Sequence, residues 1–339
     1  MGRPSPRLTN VGGGLDPSVA AVRRAVRREC ADLEPGTAVI VASSGGCDSL
    51  VLAAAATFEG RRAGWLVAGA TVDHGLQDDS ATVAAQTAET LVDLGCDPVD
   101  VIRVDVGSAG GPESAARDAR YDALGALAAA AGPSAIVLLG HTLDDQAETV
   151  VLGLARGSGT RSLAGMPPRR GAFRRPLLGV TRTTIRAAAA ALGLAAWDDP
   201  HNDDPRFARV RVRQSVLPAL ERELGPGVAE ALSRTARLTR ADADALDTWA
   251  AEARATVEKE PGSLAIDALG QLPDAIRSRV LRLVALDAGA PANDLTAAHI
   301  DQVGELLDDW HGQRGVDLPG RVTARRRAAT LRFERAPES

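Results

Sequence analysis

The feature that most limits what this chain can fold into is an alternation running over residues 16–220. Short, continuous β-branched runs are separated by alanine-rich helical stretches. The runs "TAVIVA", "WLVAGATVD", "VDVIRVDV" and "AIVLLGHT" read as strands. They lack the in–out alternation of a half-exposed sheet, so they suit parallel strands covered on both faces. An amphipathic helix, "SVAAVRRAVRREC", precedes them, and "LVLAAAATFE", "TVAAQTAETLVDLG" and "ESAARDARYDALGALAAAAG" read as the intervening helices. The expected fold class is therefore α/β, a doubly wound parallel sheet whose ligands sit at the carboxyl ends of the strands.

After about Pro218 the pattern changes. A long helical stretch, "GVAEALSRTARLTRADADALDTWAAEARATVE", is followed by two shorter ones. The closing "VDLPGRVTARRRAATLRFER" alternates like one basic β-hairpin. At 339 residues the chain exceeds one ordinary core, so two domains are expected. The expected division is a flexible leader over 1–15, a catalytic domain over 16–220, and a mainly helical domain over 221–335.

The chemistry starts at "ASSGGCDSL", Ala42 to Leu50, between the first strand and the following helix. Strand, glycine turn and helix N-terminus present backbone N–H groups to an anion, with the helix dipole in support. No lysine follows the glycines, so this is not a Walker loop. Ser44, Gly45, Gly46, Cys47, Asp48 and Ser49 are the candidate ATP-binding residues. Asp48 is placed to hold Mg²⁺ against the pyrophosphate portion of ATP. That division suits transfer at the α-phosphate.

Further polar clusters fall at other strand ends. Asp73 and His74 close the second strand and are assigned to ATP binding, with a helix cap as the competing reading. In "GHTLDDQAETVVLGLARGSG", Thr142 can cap a helix. His141 ends the strand before that helix and lies one turn from Asp145, as Asp144 does from Glu148. His141, Asp144, Asp145 and Glu148 join Asp48 as candidate catalytic residues. Arg117 and Arg120 are one helical turn apart. Arg209, Arg211 and Arg213 alternate in "RFARVRVRQSVLPAL" and would share a face if that segment were extended. These arginines, with Arg156, are the candidate contacts for phosphate or nucleic acid.

Composition narrows the class. A net charge of −5 argues against a wholesale nucleic-acid coat while leaving room for a local basic face, such as Arg321 to Arg335. Three scattered cysteines without a Cys-x-x-Cys pair suggest neither a disulfide framework nor an iron–sulfur site, so a reducing cytoplasm is the expected compartment. No apolar run approaches a membrane span.

Taken in order, "SGGCDS", "DHGL", "ESAARDARYDAL", "GHTLDDQAETVVLGLARGSG" and "RFARVRVRQSVLPAL" resemble the bacterial tRNA(Ile)-lysidine synthetases, a family of N-type ATP pyrophosphatases with a Rossmann-like fold. The loop marks only the superfamily; the long fourth element is more specific. The resemblance is strong over roughly Val39 to Leu220 and loose beyond. The family pattern has asparagine where this chain has Val210.

The resemblance implies that ATP adenylates the C2 carbonyl oxygen of the wobble cytidine in a tRNA-Ile with a CAU anticodon. Free lysine then attacks C2 and expels AMP. ATP and Mg²⁺ are the implied cofactors, and tRNA-Ile and free L-lysine the partners, with a homodimer allowed for. The implied role of the acidic helix is to bind the cationic amino acid. That of the arginines is to hold the AMP phosphate or the anticodon backbone. The rivals are a 2-thiocytidine thiolase, which needs cysteines absent here, an ammonia-using synthetase of the NAD or GMP type, and a non-catalytic RNA-binding relic.

Overall fold

A computed structural model describes residues 15–75, 79–104, 112–157, 159–197 and 203–336. Apart from Leu15, the expected leader lies outside the described residues.

The chain divides into two compact units. One comprises the residues up to Leu152 together with Met166–Arg234, the other Gly153–Gly165 together with the residues from Thr235 on. In the first unit, strands and helices follow the order α1 (Pro17–Glu29), β1 (Ala38–Ala42), α2 (Cys47–Ala63), β2 (Leu66–Asp73), α3 (Ser80–Asp93), β3 (Val99–Arg103), α4 (Pro112–Ala131), β4 (Ile136–Leu138) and α5 (Leu143–Arg156), whose last turn enters the second unit. A five-residue helix, α6 (Gly159–Leu163), lies in the second unit. The chain then returns through β5 (Arg169–Arg170), β6 (Phe173–Arg174), α7 (Arg182–Leu192), α8 (Ala208–Arg211) and α9 (Leu217–Leu224).

The sheet order is β3-β2-β1-β4-β6-β5, parallel except for the edge strand β5. Strand order reverses at β1, so β1 and β4 flank the switch point where a crevice opens at the carboxyl ends. Both faces are covered, as the unbroken apolar runs require. Val39 and Val41 pack with residues of α1, α2 and α7, while Ile40 faces Leu124 and Ala128 of α4.

The second unit holds most of α10 (Val228–Val257), then β7 (Glu258–Glu260), β8 (Ser263–Ala265), α11 (Ile266–Gly270), α12 (Asp274–Asp287), α13 (Ala297–Asp308), β9 (Val316–Leu318), β10 (Val322–Arg327) and β11 (Thr330–Arg335). The expected hairpin is β10–β11, but it is the centre of a five-stranded sheet ordered β7-β8-β11-β10-β9. Its inward residues Val322, Ala324, Leu331 and Phe333 share a core with Val280 and Val303. Arg161 bridges Asp244 and Asp247 of α10, and Arg240 donates to the carbonyls of Ala164 and Gly165, which ties residues 159–165 to this unit. The opening turns of α10 remain with the first unit, where Ala229 and Leu232 pack against Val212 and Leu217.

No helix of the described residues is long and apolar enough to cross a membrane.

Candidate active site

The loop after β1 is folded by its own hydroxyls. Ser43 Oγ and Ser49 Oγ are 2.9 Å apart, Ser49 Oγ accepts from the Ser44 N–H at 3.3 Å, and Gly45 N–H donates to Ser43 Oγ at 3.2 Å. Gly46 is the N-cap of α2 and supplies no side-chain cap, so no capping side chain stands between the positive end of the helix dipole and an incoming anion. Gly45 has φ +79°, and a Cβ there would lie 2.5 Å from Thr87 Oγ1 of α3. The Trp197 N–H donates to the Gly45 carbonyl at 3.0 Å. The loop is thus held from outside by two segments distant in sequence. Gly140, leaving β4, permits close approach: its Cβ would sit 3.2 Å from the backbone of Asp48 and Ser49.

The loop opens into a cavity of about 1020 Å³ at the β1/β4 switch point. The cavity wall includes Ser44, Gly46, Cys47, Asp48, Ser49, Asp73, His74, Arg120, His141, Asp144, Asp145 and Arg213, all from the expected set. Arg182, Arg186, Trp197 and Gln214 also line it. They carry no local motif that a single sequence would single out.

Behind this wall lies an ion-pair lattice. Glu148, fully buried, accepts Arg209 Nε at 2.8 Å and Arg213 Nε at 2.7 Å, with Arg182 at 3.4 Å. Asp145 accepts the Thr142 N–H and hydroxyl at 2.8 and 2.9 Å and Arg182 Nη2 at 3.2 Å. Burial works against its charge, but Arg182 and Arg209 prevail and hold its carboxyl below the usual range. Both oxygens of Glu148 are therefore occupied by guanidinium groups, and it is not part of the wall. Instead of meeting a cationic ligand, it fixes arginines.

Asp144 and Asp48 face the cavity without an ion-pair partner among the described residues. Among the described residues Asp144 accepts only the Arg182 backbone N–H, at 2.7 Å. Burial and the neighbouring Asp145 push the Asp48 carboxyl up to about 6. A cation beside Asp48 would relieve that strain. No group of three or more metal-ligating side chains occurs among the described residues, so Mg²⁺ would be shared between Asp48 and phosphate oxygens, a normal arrangement for this ion.

The expectation that Arg209, Arg211 and Arg213 share an extended face is corrected. The segment is helical, α8 running into a π turn over Val212–Val216. Arg209 and Arg213, four apart, both reach Glu148, while Arg211 turns away to the carbonyls of Pro205 and Arg206. Val210, at the family's asparagine position, is buried. Asp73 accepts the Gly75 N–H at 2.9 Å and so shapes the turn as well as lining the cavity. Arg156 is on the last turn of α5, in the second unit.

His141 and His74 each keep a buried Nδ1 without a hydrogen-bond partner, and Arg120 likewise has a buried, unpartnered Nε. Burial, which prevails over the nearby Asp145, pushes His141 well below the usual imidazole range, so the ring is neutral at pH 7.

Comparison with known proteins matches residues 20–220 to a PP-loop domain and residues 264–332 to a TilS substrate binding domain. The tRNA(Ile)-lysidine synthase of Thermobifida fusca is 54% identical, covering 92% of this chain and 96% of its own. Those of Streptomyces coelicolor and Mycobacterium bovis are 52% and 49% identical, covering 94% and 88% of this chain and 98% and 91% of theirs. This chain belongs to the tRNA(Ile)-lysidine synthase family. A solved U34-tRNA thiolase from Methanococcus maripaludis shares the fold at TM-score 0.55 and 19% identity, over 66% of this chain and 80% of its own. The PP-loop match and the substrate-binding match thus occur on one chain, and the residues lining the cavity all lie within the PP-loop match.

Proposed function

We propose that this chain is a tRNA(Ile)-lysidine synthase, an ATP-dependent ligase that joins lysine to C2 of the wobble cytidine of tRNA-Ile. The observation that carries the reading is the uncapped α2 N-terminus with its Ser44–Ser49 loop, which opens into the same cavity as Asp144, His141 and Arg120. An anion cradle and a carboxylate suited to a cation meet there within one cavity.

The β- and γ-phosphates rest on the N–H groups of the loop and on the hydroxyls of Ser44 and Ser49. Asp48 would hold Mg²⁺, which would supply charge neutralisation for the pyrophosphate. The cytidine C2 carbonyl oxygen attacks the α-phosphorus, and the bond to pyrophosphate breaks. Arg120 and Arg213 meet the phosphate charge that builds up. His141, neutral and with Nδ1 free, offers a hydrogen bond without adding charge. Asp144 receives the lysine ammonium and takes a proton from it, so that the amine attacks C2 as the C–O bond to AMP breaks. The products are lysidine, AMP and diphosphate, and the compartment is the cytoplasm.

A sulfur-transfer reading would rest on one thiol, since of the three cysteines Cys47 lines the cavity. Cys30 and Cys96 are buried, and burial pushes both up to about 12. The deciding experiment supplies labelled lysine, ATP and Mg²⁺ to a CAU transcript of tRNA-Ile and to one with U at the wobble position. Label on the C transcript alone is expected. Label on neither, with the protein folded and binding tRNA, would overturn the reading.

A further inference from the structure

On the α4 side of the cavity, the arginines have a different neighbour from those on Glu148. Arg117 and Arg120 place their guanidinium carbons 5.5 and 5.7 Å from the ring centre of Tyr121, the only tyrosine of the chain. The Tyr121 hydroxyl accepts Arg175 Nη2 at 3.0 Å, and Phe173 meets the ring edge-on at 5.0 Å. Arg175 is 4% exposed, and its other terminal nitrogen donates to the Pro167 carbonyl. None of Arg117, Arg120 and Arg175 has a carboxylate partner among the described residues, and Arg120 and Arg175 each keep a buried, unpartnered Nε. Three guanidinium groups gathered without a counter-charge cost free energy unless an anion arrives. One of them, Arg120, lines the cavity between His74 and His141.

The geometry points to Tyr121 as a positioning residue that, braced by Arg175, presents Arg120 to an oxyanion in the cavity. The ring supplies the attraction that a carboxylate supplies to Arg209 and Arg213, but without neutralising the cation. Arg120 therefore keeps its full charge for a ligand. Arg117, itself exposed and on the same ring, extends that field along α4. The role rests on the lysidine synthase reading, in which two anions enter this cavity, the phosphate being transferred and the carboxylate of free lysine. Both present the planar or tetrahedral oxygens that a guanidinium binds.

The test uses the full chain with a tRNA-Ile transcript and reads two rates. The first is tRNA-dependent ATP–pyrophosphate exchange without lysine, and the second is lysidine formation against lysine concentration. Tyr121→Leu is expected to lose about 5- to 30-fold, the range of a partly desolvated cation–π contact. The loss falls on exchange if the anion is the phosphate, and on the lysine KM with exchange unchanged if it is the carboxylate. Tyr121→Trp, which keeps a ring, should recover most of it. In an Arg120→Gln background Tyr121→Leu should add less than about 2-fold, since residues acting through one contact are not additive. Full additivity in that background, or a Tyr121→Leu enzyme within about 2-fold on both rates, would overturn the proposal. If Tyr121→Leu does not fold, the comparison is made with Arg175→Gln, which removes the brace on the hydroxyl. Wild-type lysidine formation is the control: its failure would sink the reading of the reaction, whereas its success beside an indifferent Tyr121 would sink only this inference.

Discussion

Arg213 Nε donates to Glu148 Oε1 at 2.7 Å, and Glu148 has no exposed side-chain surface. A carboxylate so placed is a fixture for guanidinium groups, since taking it out of water is tolerable only while its partners remain. Glu148→Gln keeps the shape and removes the charge. It should cost about 3 kcal/mol of stability, because Arg209 and Arg213 lose their common anion. Denaturant unfolding gives the stability change. Pyrophosphate exchange should fall about 10- to 100-fold as Arg213 loses its orientation. An unchanged midpoint would show that the lattice does not hold these arginines.

The two outer arginines of the "RVRVR" run should behave differently from the middle one. Arg211 is exposed and caps the carbonyls of Pro205 and Arg206, so Arg211→Ala should change lysidine formation by less than about 3-fold. Arg213→Ala should lower it by about 100-fold, since a phosphate-facing guanidinium is lost. Equal effects in steady-state assays would contradict the helical placement of this segment.

Asp48 links the site to pH. Burial, with Asp145 beside it, raises its carboxyl from 3.8 to about 6. The native state then holds this proton more tightly than the unfolded chain does. Stability is lost as pH rises from about 4 to about 6, and stays lost above. Asp48→Asn removes that penalty. Without nucleotide or divalent cation, the variant should melt higher than wild type at pH 7.5, and the two should converge near pH 4. Thermal melts at both values check this, and a gap independent of pH would refute it. The same variant should have no measurable exchange activity.

Gly45 combines φ +79° with a site where a Cβ would lie 2.5 Å from Thr87 Oγ1. Gly45→Ala should therefore cost about 2 kcal/mol and weaken ATP binding more than about 10-fold. Adding Thr87→Ala should recover part of the loss, because it relieves the contact but not the left-handed backbone. Full recovery would mean that only the contact matters. Calorimetric titration with ATP and thermal melts of the single and double variants distinguish the two.

Most of the sheet and its loop were legible because their signals are local. Unbroken runs such as "AVIVA" can be buried on both faces only in a covered parallel sheet, and the glycines and serines from Ser43 to Ser49 announce the turn at its end. The short strands β5 to β8 left no comparable trace, since two or three residues carry no period. The "RVRVR" segment misled for a different reason. Its period of two fits a strand, but Arg209 and Arg213 reach one carboxylate, and Val212 reaches the core of Ala147 and Leu217, only on a helix. Packing overrode β-propensity.

By itself, then, the sequence determined the layered α/β architecture, the anion loop and the family, because these depend on neighbours along the chain. Tertiary structure alone decided which charged groups face the ligand and which are spent on one another. Asp144 and Glu148 sit one turn apart on α5, yet Asp144 opens onto the cavity while Glu148 is sealed behind it by Arg209 and Arg213, some sixty residues further along the chain. Tyr121 and Arg175, 54 residues apart, meet only because α4 packs on one face of the sheet beside β6. Burial and the distance between charges set a side chain's role, and both are properties of the assembled fold.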